Sequence, residues 1–327
     1  MTDTSPIGPP PPFDSELVPA LASLARVMPP AIHPEMLPAL RDFMESSAAS
    51  DDDIRRGGAV EFEELRVPGP AGAPDISLLV CRRAGSTEPR PAVYFTHGGG
   101  MVLGNNRSLI GEMVDWVEQL GIVLVSVEYR LAPEHPFPAG LEDVYAGFRW
   151  TMTHAEDLGI DPERVVVSGP SAGGGLTAAV TLLARDLNGP VAAGQLLVCP
   201  MLDDRNDSAS ALQMAGVGAW DRTSNEMGWT ALLGERRGGP DVPAHAAPAR
   251  AEDLSGLPPL FVDVGSAETF RDEVVTYAAR FWRAGSVAEL HVWPGGFHGF
   301  DALAPDADVS KRARATRVDW LRRTLRL

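Results

Sequence analysis

Along this chain, short runs of almost wholly apolar residues at 92–95, 122–127, 165–167, 196–199, 260–264 and 290–293 alternate with stretches of helical length. Runs without polar alternation suit strands buried on both faces, and the length between them suits crossover helices joining parallel neighbours. The intervening segments 109–120, 141–154, 176–187 and 273–284 set apolar residues on one face, as Leu176, Val180, Leu183 and Leu187 do. The pattern predicts an α/β chain with a doubly wound, mostly parallel central sheet and helices on both faces. Segments 60–67 and 76–81, joined by the Pro-Gly-rich turn 68–74, predict a hairpin at the start of the sheet.

Ahead of that hairpin, the proline run 9–12 reads as an extended lead-in. Helical spacing then appears at Leu17, Leu21 and Leu24 and again at Met36, Leu40 and Met44, with Pro29, Pro30 and Pro34 separating two short amphipathic helices. The polar stretch 50–58 carries no predicted element. Residues 203–257 form a long interval without a strand. They read as an excursion that, with the N-terminal helices, covers the carboxyl ends of the strands, where open α/β sheets bind their ligands. Its Met214, Trp220, Met227 and Trp229 serve either as the core of this cover or as ligand contacts. The chain divides accordingly into N-terminal cap helices (1–50), a first part of the α/β domain (51–202), a cap insertion or long excursion (203–257) and a second part of the domain (258–327).

A formal charge of −16 argues against nucleic acid or an anionic lipid surface as partner, since either would repel the protein at neutral pH. The basic run 311–323 lies in a helix-like segment whose Val318, Leu321 and Leu325 supply an apolar face, and its charges read as a solvated face. Cys81 and Cys199 sit in apolar, strand-like surroundings and read as packing thiols rather than a disulfide framework. Residues 1–13 lack a basic segment followed by an apolar one, and no apolar run reaches the about 18 residues that a membrane helix needs. These features predict a cytoplasmic protein with no membrane span, a monomer or homodimer acting on a small molecule.

Chemistry enters at Gly169-Pro170-Ser171-Ala172-Gly173, which follows the apolar run 165–167 and precedes a helical stretch. Strand, G-x-S-x-G and helix together form the nucleophile elbow, a tight turn that lifts a serine hydroxyl above the sheet. The helix start also aims free N–H groups at developing negative charge. Gly173 to Ala178 satisfy the dinucleotide pattern G-x-G-x-x-A as well, but the acidic residue expected roughly 20 positions on is represented only by the poorly placed Asp203. Directly after the run 92–95 comes His97-Gly98-Gly99-Gly100-Met101. Backbone amides at successive glycines can converge on one oxygen, so Gly98 and Gly99, with Ala172, are the predicted oxyanion donors.

A serine hydroxyl is a weak nucleophile at neutral pH and needs a base on a loop able to reach it. His298, in Trp293-Pro294-Gly295-Gly296-Phe297-His298-Gly299-Phe300 after the last predicted strand, meets that need. The other histidines, at 33, 97, 135, 154, 245 and 291, read as structural or solvated. The orienting acid should lie between Ser171 and His298 in chain order. Glu268, just past the strand 260–264, is the first choice and Asp263, within it, the alternative. Asp272 and Glu273 start a helix where acids are favoured for capping alone.

Taken together, His97 to Met101, Tyr129-Arg130-Leu131-Ala132-Pro133-Glu134, Gly169 to Gly173 and Phe297-His298-Gly299-Phe300, in this order, resemble the hormone-sensitive-lipase-like family of α/β-hydrolases over residues 91–300. The resemblance implies an α/β-hydrolase fold with a helical cap built partly from the N-terminus. It also implies hydrolysis of carboxylic esters, usually of short acyl chains, through an acyl-enzyme with no cofactor and no metal. Two departures stand out. Pro170 occupies the place where the family often has Asp, and Glu268 stands where its acid is usually Asp. Arg130 reads as a structural ion pair within the Tyr129–Glu134 turn. Lactone or amide hydrolysis uses the same parts, and a non-catalytic binding protein on this fold would be expected to lack Ser171 or His298.

Overall fold

The computed structural model describes residues 7–29 and 31–327. The sequence reading of Pro30 as a helix separator, and that of residues 1–6, lie outside the described residues. Eight strands form one sheet: β1 (Val60–Val67), β2 (Ile76–Arg83), β3 (Arg90–Thr96), β4 (Val123–Val127), β5 (Ile160–Pro170), β6 (Gly194–Val198), β7 (Leu260–Gly265) and β8 (Ala288–Trp293). Their order is β1-β2-β4-β3-β5-β6-β7-β8, with β1–β2 and β2–β4 antiparallel and every other pairing parallel. The apolar runs of β3 to β7 are the buried centres of their strands, which are covered on both faces. The run 290–293 is different: β8 is an edge strand, its residues are only half-buried and Val292 is 39% exposed.

The helices are α1 (Val18–Leu24), α2 (Leu37–Ser46), α3 (Asp51–Arg55), α4 (Gly111–Leu120), α5 (Ala139–Thr153), α6 (Ala172–Asp186), α7 (Ala209–Gln213), α8 (Arg222–Leu233), α9 (Arg271–Arg283), α10 (Phe300–Leu303) and α11 (Asp308–Leu325). Helices α5, α6 and α9 pack on one face of the sheet and α4 and α11 on the other. Alternation along β7 shows the second face directly: the Phe261 ring packs at a tilt against Trp320 of α11, and Asp263, two residues on, reaches Arg317 of the same helix.

Several sequence expectations change. The polar stretch 50–58 contains α3, whose start is a reciprocal cap in which the Ser50 hydroxyl accepts from the Asp53 amide and the Asp53 carboxylate accepts from the Ser50 amide. Helix α6 begins at Ala172 and not at 176, because tertiary packing offsets the poor helix propensity of three successive glycines. Asp272 and Glu273 do more than cap α9: Glu273 accepts from the amides of Leu202 and Asp203, and Asp272 from that of Ser210, so they anchor the start of the 203–257 segment. The basic helix face is not wholly solvated, since Arg317 is fully buried among Asp263, Asp301 and Glu112.

Segment 203–257 holds α7 and α8, and α8 lies over the glycine loop after β3, with Gly228 against the Gly100 carbonyl. The N-terminal part reaches the same region. Ile32 donates its amide to the Ser224 hydroxyl of α8, and Arg41 of α2 bonds the carbonyls of Val102 and Ala132 together with both carboxylate oxygens of Glu134. Among the described residues no helix is long and apolar enough to cross a membrane.

Candidate active site

At the end of β5 the chain turns into α6 through a single residue, Ser171, whose backbone takes φ 57° and ψ −122°. This conformation is costly for a residue with a Cβ, by about 1–3 kcal/mol, and it is held by neighbouring strands. The Ser171 amide donates to the Val198 carbonyl (2.8 Å), and the Ser171 carbonyl accepts from the amides of Met201 (2.9 Å) and Gly175 (3.0 Å). Gly173 completes the turn by leaving room: a Cβ there would collide with the carbonyl oxygens of Thr96 and His97. The glycine at 173 therefore serves close packing against the end of β3, and those at 174 and 175 pack against Pro200 and Met201, which gives the glycine run a structural reason that needs no dinucleotide.

Three separate loops meet at the serine. The Ser171 hydroxyl lies 3.0 Å from Nε2 of His298, and Nδ1 of His298 lies 2.7 Å from Oε1 of Glu268. With Glu268 as acceptor the ring proton sits on Nδ1 and Nε2 is free to accept from the hydroxyl. The Glu268 carboxylate is fully buried and takes a second hydrogen bond from the Gly265 amide (3.1 Å). Phe270 packs edge-on against the imidazole at 5.2 Å between centroids, and Trp220 flanks it at 6.4 Å. Asp263, the alternative acid, faces away: its Oδ2 accepts from Arg317 Nε (2.9 Å) and from Trp293 Nε1 (3.1 Å).

On the other side of the serine stands the glycine loop. Gly98 lies so near that a Cβ on it would sit 3.5 Å from the Ser171 Cβ. Gly99 has φ +116°, where a side chain would be strained and would also strike the Leu103 carbonyl. Among the described residues, the amides of Gly98, Gly99 and Ala172 donate to no protein acceptor. The loop is braced by His97, which is fully buried, contacts the Gly98 carbonyl through Nδ1 (2.8 Å) and stacks on Tyr129 at 4.1 Å. Burial pushes the His97 imidazole down to about 4, so it is neutral at pH 7. Tyr129 donates its hydroxyl to the His97 carbonyl, and the adjacent Arg130 makes a two-pronged ion pair with buried Asp143. The 129–134 turn thus supports the loop from beneath.

The structure brings Ser171, His298, Glu268, Gly98, Gly99 and Ala172 to one place, with three further neighbours. Trp220, which the sequence offers as cap core or ligand contact, packs its ring against Gly100 and beside His298. Phe270 lies two residues past Glu268 and had no signal of its own. Cys199, read as a packing thiol, has Sγ within 4.8 Å of a Glu268 carboxylate oxygen and a His298 ring nitrogen. Among the described residues, this Cys-Glu-His group is the only set of three or more metal-ligating side chains so close together.

The described geometry agrees with what the chain is similar to. Residues 93–302 match a family described as alpha/beta hydrolase fold. The carboxylesterase NlhH of Mycobacterium tuberculosis is 35% identical over 270 residues, covering 80% of this chain and 82% of its own. Esterase LipI of the same organism is 34% identical over 249 residues, covering 74% and 75%. Among solved structures, a bacterial heroin esterase superposes with a TM-score of 0.87 at 36% identity, covering 96% of this chain and 98% of its own.

Proposed function

Because the chain belongs to the hormone-sensitive-lipase-like carboxylesterases of the α/β-hydrolase fold, we propose that it cleaves small, short-acyl esters through Ser171, His298 and Glu268. The observation that carries this reading is the unbroken line from the Ser171 hydroxyl to His298 (3.0 Å) and on to buried Glu268 (2.7 Å). Ser171 attacks the ester carbonyl as its proton passes to Nε2 of His298, and Glu268 stabilises the imidazolium that forms. The amides of Gly98, Gly99 and Ala172 receive the oxyanion, each such donor being worth about 3–4 kcal/mol. His298 then gives its proton to the leaving alcohol. Water repeats the sequence on the acyl-enzyme and releases the acid.

In this reading residues 1–50 and 203–257 form the cap over the 51–202 and 258–327 parts of the catalytic domain. The bond of Ile32 to α8, the contact of α8 with Gly100 and the bond of Arg41 to Val102, just past the glycine loop, support it. Trp220 and Phe270 then form one wall beside the imidazole. The protein works without a cofactor on a small-molecule ester, as a cytoplasmic monomer or homodimer.

A nitrophenyl ester series of rising acyl length tests the reading, together with mass spectrometry after an organophosphate probe. Rates should be highest for the short acyl groups, the probe should add one phosphoryl group to Ser171, and Ser171→Ala should lose about 10⁴-fold or more in kcat. A Ser171→Ala variant that keeps more than a few per cent of the rate removes Ser171 from the mechanism.

A further inference from the structure

We infer that Cys199, Glu268 and His298 form an inhibitory site for a borderline-soft divalent cation such as zinc or cadmium. The inference rests on the catalytic reading above for its consequence, though not for the binding itself. A thiol sulfur, a carboxylate oxygen and an imidazole nitrogen lie within 4.8 Å of one another. They come from the loops after β6, β7 and β8, three neighbouring strands whose ends converge. A mixed S, O and N set suits zinc, whose bonds to such ligands run about 2.3 Å to sulfur and about 2.0–2.2 Å to nitrogen and oxygen. Those lengths put tetrahedral ligands roughly 3.5 Å apart. The ion is therefore admitted by sub-ångström to about one-ångström adjustments, in which the carboxylate and the ring separate slightly and the thiol closes in.

Two features make Cys199 more than a buried thiol. Its backbone is fixed, with φ +37° and its amide bonded to the Asp263 carbonyl (2.7 Å), so the direction of its side chain is set by the sheet. Its sulfur makes no hydrogen bond among the described residues, and so gives up no protein partner on binding an ion. The thiol must lose its proton to solvent as the cation binds.

Occupancy stops the reaction whichever ring nitrogen is used. A cation on Nδ1 displaces the proton there to Nε2 or to solvent and takes the Glu268 carboxylate from the imidazole. A cation on Nε2 takes the lone pair that Ser171 needs. In both cases His298 no longer serves as base. No covalent step is involved, so chelation should restore the full rate.

The test uses cobalt(II) as a coloured stand-in and zinc as the inhibitor. The intact protein and its Ser171→Ala variant should both develop a thiolate-to-cobalt charge-transfer band at one equivalent, abolished by zinc. Cys199→Ala should lack the band, hydrolyse ester at the parent rate without metal, and need at least roughly 100-fold more zinc for half-inhibition, since even outer-shell ligand partners are worth about 10–100-fold in affinity. Cys199→Ser takes its place if the alanine variant is poorly folded, and Cys81→Ala controls for the other thiol. No band in the intact protein, a band that survives in Cys199→Ala, or equal zinc sensitivity of the two overturns the inference. Ser171→Ala separates the two readings: if it retains activity the catalytic reading fails, and if it is inactive while the band is absent only the metal site fails.

Discussion

Asp263, within β7, and Glu268, three residues past its end, stand five residues apart, both almost fully buried, and they serve opposite kinds of partner. Asp263 faces Arg317, a guanidinium that is always charged, in a cluster completed by Asp301 and Glu112. Glu268 faces His298, whose charge comes and goes. A carboxylate held against a permanent cation has its charge fully used by the fold. One held against an imidazole gains a strong partner only when the ring takes a proton, which in the proposed mechanism is the transition state. Burial of a carboxylate therefore does not mark it as catalytic; the partner it faces does.

The comparison is broken or sharpened first by Glu268→Gln set beside Asp263→Asn. Glu268→Gln should lower kcat by about 10⁴-fold, near 5 kcal/mol, by removing the charge that stabilises the imidazolium. Asp263→Asn should leave kcat within about tenfold and appear instead as lost resistance to urea. Steady-state kinetics and urea melts on both variants decide it, and a reversed pattern would exchange the two roles. Next in size is Arg317→Met, which leaves the acidic groups of Asp263, Asp301 and Glu112 without their shared cation and should cost about 3–5 kcal/mol of folding free energy. An Arg317→Met protein as stable as the parent would show that the cluster holds nothing together.

Most of the site was legible because its chemistry is local. A strand running into Gly169 to Gly173 writes the elbow within a few residues, and His298 and the 97–101 loop follow strands whose apolar runs were plain. The sheet was legible for the same reason, continuous apolar runs being hard to bury in any other way. Arg317 was not legible: it stands in a basic stretch that looks solvated, and only the parallel register that sets Asp263 over α11 brings it inside. The role of Cys199 was hidden likewise, because its neighbours Glu268 and His298 arrive from other strand ends. Helix α3 is different, for its Ser50–Asp53 cap is readable in the sequence, although so short a helix in a polar stretch shows no apolar periodicity.

The Arg317 cluster also predicts how the fold responds to acid. Glu112 keeps only 12% of its side chain exposed, and burial raises its carboxyl to about 7, with the Arg317 guanidinium opposing and the Asp301 charge adding to the rise. The folded protein thus holds a proton on Glu112 over a range where the unfolded chain, near 4.5, has lost it. This contribution to stability is fully present below 4.5 and disappears as pH rises through 7. His97 has the opposite sign: the unfolded chain binds its proton near 6.5 and the folded one only near 4, so its contribution is full above 6.5 and is lost as pH falls to 4. Between about pH 4.5 and 6.5 the two slopes, each up to about 1.4 kcal/mol per pH unit, largely cancel. Glu112→Gln keeps an acceptor for Arg317 but cannot titrate, so it should expose the His97 slope. Urea unfolding of parent and variant at about pH 5 and about pH 7 measures it: the variant should lose more stability than the parent on acidification. Equal losses would mean that the folded cluster holds no proton on Glu112. The cluster would then carry its surplus of negative charge unprotonated, and the contrast with the triad would narrow to which cation each acid faces.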